Sequence, residues 1–567
     1  MRNTWTLGAM GAALAAVLAA GGCYDFDAAQ KRCRDEGRCE QQVIPDAGCT
    51  PTSTSEDSPD DAFADSDCDG VDGRASSGLF VDPANGNDVS GTGTREAPLR
   101  TVGQALARLR QWDGGVPTRL YLAGGTYAEG ELVLDVPVSL HGGYSGRDGG
   151  WGRTGDQVAV LDNGGATGLT VQGVTDAGIV LEYLRIRSAD AVEPGQASVA
   201  LRVLDSSGVL LRHTVLEAGR GGTGSEGTPG DEGTPGPVGV EGQLPLGNPA
   251  VSPGDGGAGG VNTACPGPDD RSGGRGADGV SRSAGMAGDA GQPDPTSGAT
   301  VTGGAGGTAG SRVEVTCPPS AICMCAGTDG SDGDPGTQGD AGSAGSPGGA
   351  SLGSFSEETH TWSPGTEQRG GAGESGEPGS GGGGGGSGSG CILTNRPTTP
   401  VAASGGGGGG GAGGCGGLAG LGGGGGGASI GLLVFDSQVA LEASSRVETR
   451  GGGTGGKGGP GGSGGNGGDG GTGVDRIDAR VFDESPGAIT TSGKSGSGGG
   501  GGAGGNGGPG GGGGGGPSVG IWCQRAQLTL DGGVTIAQGP GGAGGESDGT
   551  AGGAGESLPM TGCVPIQ

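Results

Sequence analysis

Large side chains are scarce in this sequence. Aromatic residues make up 3% of the 567 positions and the whole hydrophobic set 31%, so most of the chain cannot be organised around an apolar core. Histidine occurs only at positions 141, 213 and 360, and no two cysteines form a C-x-x-C pair, which excludes the usual zinc-ligand spacings. Basic residues are outnumbered, 31 Lys and Arg against 62 Asp and Glu, for a formal net charge of -31. A field of that sign repels phosphate, so nucleic acid is excluded as a partner, and cations or solubility are what the acidity serves. H-E-x-x-H and the phosphate-loop signature are absent, and the G-x-G-x-x-G matches inside glycine tracts carry no information. No catalytic residues are assigned. What the chain has in place of bulk is glycine, 153 residues of it.

The first 22 residues have the three-part layout of an export signal: Met1-Arg2-Asn3 is basic, Leu7 to Leu18 is apolar, and small residues Ala19 to Gly22 lead to Cys23. The apolar run is shorter than the ~20 residues that cross a bilayer. A Cys directly after the small residues resembles the lipobox of bacterial lipoproteins, with Ala20 where that pattern usually has Leu. The resemblance implies that Cys23 receives lipid and becomes the mature N-terminus, so the expected partner is a membrane and the expected location the outer membrane or cell surface. Setting Cys23 aside leaves an even number of the 13 cysteines, in a near group (Cys33, Cys39, Cys49, Cys68) and a far group from Cys265 to Cys563. In an oxidising compartment both read as disulfide frameworks, with the pairing open.

Residues 23–76 are polar and aperiodic, which describes an acidic tether. Within it Asp65, Asp67, Asp69 and Asp72 alternate around Gly70. Hard oxygen ligands at that spacing converge on Ca²⁺ when a glycine folds the backbone over the ion, so these four carboxylates are the candidate metal ligands and calcium the candidate cofactor. Ser76 stands where an EF-hand needs Glu, and the segment looks more like a single thrombospondin type 3 loop. The competing reading is a solvated acidic linker.

From residue 77 the character changes to short apolar runs separated by turn residues. Val102, Ala105, Leu106 and Leu109 make one stripe of a helix that Thr101 can cap. Three later stretches repeat one another. Ala197–Val203, Val209–Leu211 and Val215–Ala218 correspond to Ala428–Val434, Val439–Leu441 and Arg446–Glu448. Both correspond to Pro517–Cys523, Leu528–Leu530 and Val534–Ile536. An earlier relative runs from Gly168 to Ile186. Each offers three short strands, as one coil of a solenoid requires. The order Phe80-Val81-Asp82-Pro83-Ala84-Asn85-Gly86-Asn87-Asp88, Pro98-Leu99-Arg100-Thr101-Val102, Leu120-Tyr121-Leu122-Ala123-Gly124-Gly125-Thr126-Tyr127 and Val138-Ser139-Leu140-His141-Gly142-Gly143-Tyr144 resembles the pectate lyase-like right-handed parallel β-helix proteins of the bacterial exported group, over roughly residues 79 to 218. The resemblance implies an all-β solenoid whose N-terminal helix plugs its open end.

Each repeated unit runs into glycine, at Gly219, Gly451 and Gly539, so the insertions leave the solenoid at equivalent points. Glycine recurs every third residue from 221 to 242 and from 327 to 348, and fills two of every three places from 452 to 471. A left-handed helix with three residues per turn sets each third residue on one edge. Gly-x-y suits a collagen-like assembly and Gly-Gly-x suits packed polyglycine II helices; disorder is the other reading of the tracts. The expected organisation is a signal peptide 1–22, a tether 23–76, β-helix 77–218, insertion 219–427, coil 428–449, insertion 450–516, coil 517–538 and glycine-rich tail 539–567. Loop closure costs little, so residues 456–512 are expected to be deletable.

Many relatives of that fold cleave acidic polysaccharides, using clustered carboxylates with Arg or Lys on one face. The nearest fragments are Arg185-Ile186-Arg187 with Asp190, and Arg212-His213, and neither has companions legible in the matching coils. The expectation is a non-catalytic surface module, structural or adhesive, with polysaccharide or other surface proteins as partners; the alternative is a polysaccharide lyase or hydrolase with an unrecognised site.

Overall fold

The computed structural model describes residues 49–52, 57–112, 117–175, 178–265, 270–295, 297, 299–442, 444–482 and 486–565. The signal segment, Cys23, Cys33 and Cys39 lie outside the described residues. Among the described residues no helix is long and apolar enough to cross a membrane.

The chain is all-β, and its framework is three parallel sheets that the backbone visits in turn. An eight-stranded sheet has the order Gly78–Val81, Arg119–Ala123, Ser139–Tyr144, Ile179–Glu182, Val209–Arg212, Gln438–Leu441, Gln527–Leu530, Val564–Pro565. A second sheet runs Leu132–Leu134, Thr167–Gln172, Ser198–Leu204, Ser429–Phe435, Ser518–Gln524, Ser557–Thr561, and a third Gly125–Tyr127, Ala159–Asp162, Leu184–Arg187, Val215–Ala218, Arg446–Thr449, Thr535–Ala537. Strands of the repeated units lie side by side in register. Leu201 faces Leu432 and Leu432 faces Ile521, although more than two hundred residues separate the first pair in sequence. In the first sheet Leu79, Leu120, Leu140, Leu181, Leu211, Leu441 and Leu530 form one continuous row. Period-two alternation sends these rows inward, where one apolar cluster gathers residues of all three sheets.

Single residues in the left-handed region make the corner after five of the six second-sheet strands, all but Leu132–Leu134: Gly173, Asp205, Asp436, Arg525 and Gly562 all have φ between 43° and 70°. A second device closes the corner where insertions leave. Ser198 Oγ donates to Ala189 O, Ser429 Oγ to Gly219 O at 2.6 Å and Ser557 Oγ to Gly539 O, while Ser518 Oγ bonds Thr449 Oγ1. A serine at the head of each strand thus ties the exit of an excursion to its re-entry.

The helix spans Val102–Leu109 and buries Val102, Ala105, Leu106 and Leu109, with the Thr101 side chain accepting from Gln104 N–H. Glu129 accepts from the amides of Val102 and Gly103 at 2.7 Å each, a carboxylate at the positive helix end. The helix lies against Gly78–Val81 and Leu132–Leu134, the strands that begin the first and second sheets.

The glycine tracts are ordered, which corrects the disordered reading. Residues 221–242, 452–474 and 404–427 form a closed triangle of hydrogen bonds with a period of three. Gly224, Gly227 and Gly230 donate to the carbonyls of Thr454, Lys457 and Pro460, Gly456, Gly459 and Gly462 to those of Gly424, Leu421 and Leu418, and these last three return to Ser225, Thr228 and Asp231, all at 2.7–3.0 Å. Further segments, 254–262, 271–280, 370–390 and 492–516, surround residues 404–413, so that segment is central. Glycine content follows position. A Cβ on Gly408, Gly409 or Gly410 would lie 1.9–2.1 Å from a carbonyl oxygen of three different neighbours, so every residue there is glycine. At 452–472 two edges are blocked and the third carries exposed Thr454, Lys457, Pro460 and Ser463. At 327–348 one edge is blocked, and only every third residue is glycine. Buried backbone amides find partners in neighbouring backbones in place of side-chain packing.

Three expectations need correction. Residues 57–76 are docked against the first sheet and are not a free tether. The stretch 539–567 holds more than a glycine tail, since Ser557–Thr561 and Val564–Pro565 extend two sheets. The insertions also carry short strands of their own, at Val313–Val315, Cys323–Ala326, Ser354–Ser356, Thr361–Ser363, Cys391–Leu393, Asp478–Val481 and Ala488–Thr491. The described cysteines pair as Cys49–Cys68, Cys265–Cys415, Cys317–Cys323, Cys325–Cys391 and Cys523–Cys563.

Candidate functional site

The acidic segment sits on the outward face of the first sheet, where alternation would otherwise expose aromatic rings. Val71 packs with Phe80, Tyr121, Tyr144 and Trp151, and the Tyr121 and Tyr144 hydroxyls donate to Arg74 O (2.8 Å) and Asp72 O (2.5 Å). Beneath it lies a buried charge network. Glu182 is bonded to His141 at 2.6 Å, to Arg153, and to Arg212 Nε at 2.5 Å. Arg153 reaches on to Asp72 at 2.8 Å, while Arg212 donates to Pro59 O at 3.0 Å. His213 stacks on Tyr183 with centroids 4.6 Å apart and places Nε2 3.1 Å from Asp61. The Arg212-His213 pair therefore fastens the segment.

Of the four carboxylates expected to hold calcium, the fold brings two together. Asp65 and Asp67 converge with Asp57, each offering an oxygen within 4.8 Å of the others. Asp69 is engaged by the amides of Val71 and Ala75 at 3.2 and 2.7 Å and Asp72 by Arg153, and neither joins the converging cluster. Asp57 was not legible as a member because it lies eight residues before the alternating run. Its Oδ2 accepts from Ser66 and Gly73, which carries it across the loop. Burial raises the carboxyls of Asp57 and Asp67, and neighbouring carboxylates add to the effect. Burial likewise pushes Asp69 and Asp72 up to about 6, in Asp72 against the opposing pull of Arg153. Burial also acts to raise Glu182, but His141, Arg153 and Arg212 outweigh it and hold the carboxyl down to about 2. Three acidic oxygens without a cation are mutually repulsive, and a hard divalent ion is the chemistry that would relieve them.

The fragments around Arg185 and Arg187 do acquire companions. On the outward face of the third sheet Arg187 pairs with Glu217 at 2.5 Å and Asp162 at 3.9 Å, and Arg185 reaches Glu217 at 3.4 Å. Arg450 pairs with Asp190 at 3.6 Å. A shallow groove of about 400 Å³ runs along them, lined by Asp162, Arg187, Ser188, Ala189, Asp190, Glu217 and Arg450. Those companions come from other rounds of the chain, so sequence proximity could not reveal them. Every charged group lining the groove is held by an opposite charge, and His141 with Glu182 is sealed from solvent. The chain matches no protein-family model, no curated protein and no solved structure.

Proposed function

We propose that this is an exported, lipid-anchored surface protein in which a right-handed parallel β-helix of the pectate lyase-like kind carries a single polyglycine II bundle, acting as a non-catalytic structural or adhesive module. The observation that carries the reading is the bundle. Excursions from three separate exits are knitted into one hydrogen-bonded body whose outer edges present polar side chains. Such a body is stiff, water-facing and free of a large apolar core, properties that suit a projecting surface structure. The signal layout supports export, and Cys23 supports a membrane partner, placing the module on the outer membrane or cell surface. Glycans or other surface proteins are the partners that an acidic, polar surface of this size would meet.

A second reading rests on the groove at Arg187 and Glu217, whose mixed charges are the kind a polysaccharide-active β-helix uses. One experiment separates the two. Cells carrying Cys23→Ser should release the protein from the membrane fraction, and that soluble full chain is then incubated with a panel of acidic polysaccharides and arrayed glycans. Binding or indifference without chain cleavage is expected. Multiple-turnover depolymerisation would overturn the non-catalytic reading, and retention of the variant in the membrane with unchanged fatty-acid labelling would overturn the anchor.

A further inference from the structure

The far end of the bundle carries a small sheet of its own, and one edge of it is free. Segments that leave the solenoid at Gly219 and Gly451 reach this end near residues 242 and 474. There Cys323–Ala326, Ala488–Thr491 and Asp478–Val481 form a three-stranded sheet with Asp478–Val481 outermost. Its inner face rests on a core built from the Cys317–Cys323 and Cys325–Cys391 disulfides with Leu393 and Val401. Its outer face is open: Ile322, Met324 and Phe482 are 49%, 71% and 60% exposed, Ile489 lies beside Met324, and Asp478 and Arg480 stand exposed on the last strand. An exposed apolar group of this kind on a soluble body marks a contact surface. Ser492 N–H donates to Ile477 O, so in this antiparallel pair Ile477, Ala479 and Val481 are the residues bonded inward to the neighbouring strand. Asp478 and Arg480 therefore turn their amides and carbonyls to the free side, where nothing among the described residues bonds to them.

We infer that a second copy of this chain joins here, strand to strand and antiparallel, about a twofold axis through Ala479. Alternation limits the register, because residues that bond outward must face residues that bond outward. Setting Asp478 opposite its own copy, or Arg480 opposite its own, brings like charges face to face, which is unfavourable across a strand pair. The remaining register sets Asp478 against Arg480 of the second copy, and symmetry repeats the pair as Arg480 against Asp478. Opposite charges then meet at both places, and the two small sheets become one. In the same register Phe482 faces Arg476 of the second copy on the outer side, a ring against a guanidinium. The distribution of charge favours approach at this end. Residues 310–327, 390–404 and 473–495 hold acidic and basic side chains in equal number, while the whole chain carries -31, so contact elsewhere would press excess negative charge together. This names the partner for the adhesive reading above, copies on facing surfaces meeting tip to tip. A chain that binds arrayed glycans without self-associating, or the reverse, would separate the two.

The test is sedimentation of the soluble full chain bearing Cys23→Ser over a range of protein concentrations, compared with the same chain carrying Asp478→Arg, Arg480→Asp, or both. An unchanged melt with β-type circular dichroism establishes that each variant is folded. The parent is expected to dimerise. Either single exchange sets like charges opposite at both places and should weaken association by roughly tenfold or more. Both exchanges together restore opposite charges and should return the parent's association. An equimolar mixture of the two single variants should do the same, since each is then complementary only to the other. A chain that stays monomeric at every concentration overturns the proposal. So does a dimer indifferent to these exchanges, which would place the contact on another surface, and so does loss of association that neither the double variant nor the mixture recovers.

Discussion

At Glu182 one carboxylate meets His141, Arg153 and Arg212, and this group, more than the acidic loop above it, holds the N-terminal segment down. The two sets of acids respond to pH with opposite signs. Asp69 and Asp72 have folded values of about 6, above their ordinary 3.8, so their contribution to docking is fully present below 3.8 and is lost as pH rises from there through about 6. Glu182 is depressed to about 2 from 4.5, so its contribution is present above its ordinary value and lost as pH falls toward 2. Docking of residues 57–76 is therefore expected to be firmest near about pH 4 to 4.5 and to weaken from there to about pH 6. Exchange of the Gly70 and Gly73 amides, which are bonded to Asp65 and Asp57, reads this directly after correction for the intrinsic rate. Docking that strengthens steadily from pH 5 to 8 in chelator would contradict the argument. A bound divalent cation should offset the loss, which is complete above about pH 6. Calcium at roughly 10⁻⁴ to 10⁻³ M is expected to restore protection at pH 7.5, and Asp57→Asn to abolish that effect. No response at several millimolar would leave these acids serving only the loop backbone.

The three-residue period of the glycine segments was legible in the sequence while their order was not, yet in the structure each triplet records how many neighbours press on it. Three glycines mark the centre at 405–411, two mark 452–472, and one marks 327–348. The same logic makes single substitutions diagnostic. A Cβ on Gly420 would sit 2.1 Å from Gly459 O, and backbone is the neighbour least able to move, so Gly420→Ala is expected to cost about 1–3 kcal/mol, as overpacking does. Lys457→Ala, on an open edge one residue before a buried glycine pair, should stay within about 0.5 kcal/mol. Urea titrations of the two variants decide it; equal effects would mean that the bundle is not close-packed in solution. The helix and the three-strand units were legible for a related reason, since their periods of 3.6 and 2 are local. The docked segment was not. Asp72 and Arg153, or Arg212 and Pro59, meet only after several rounds of the chain, and no local pattern marks such pairs. The corner serines were present in the repeated units, but their partners Gly219 and Gly539 belong to the excursions.

At the scale of the whole molecule the excursions and the sheets depend on each other less symmetrically than the repeat pattern suggests. Strands at 198–204, 429–435 and 518–524 stack in register and bury Val203 against Val434, so the sheets own an apolar core that needs no glycine. Closing a shorter loop between residues 455 and 513 would cost little, because the entropic penalty varies only with the logarithm of length. On that ground alone, removal of residues 456–512 would be innocuous. The bundle changes the expectation. That stretch accepts the amides of Gly227 to Gly242 on one side and those of Gly408 to Gly423 on another, so deletion strips partners from two segments and leaves central backbone groups unpaired. The deletion variant is therefore expected to retain a cooperative melt with β-type circular dichroism, while the amides of residues 405–427 lose their protection from exchange. Val203→Asp and Val434→Asp should do the reverse in order of severity, placing an unpaired charge in the sheet core at a cost of about 3 kcal/mol or more, and abolish the melt itself. If the deletion variant keeps its slow glycine amides, the bundle does not depend on segments 452–474 and 492–516. If the deletion removes the melt while the aspartates spare it, the glycine segments rather than the three sheets are the structural core.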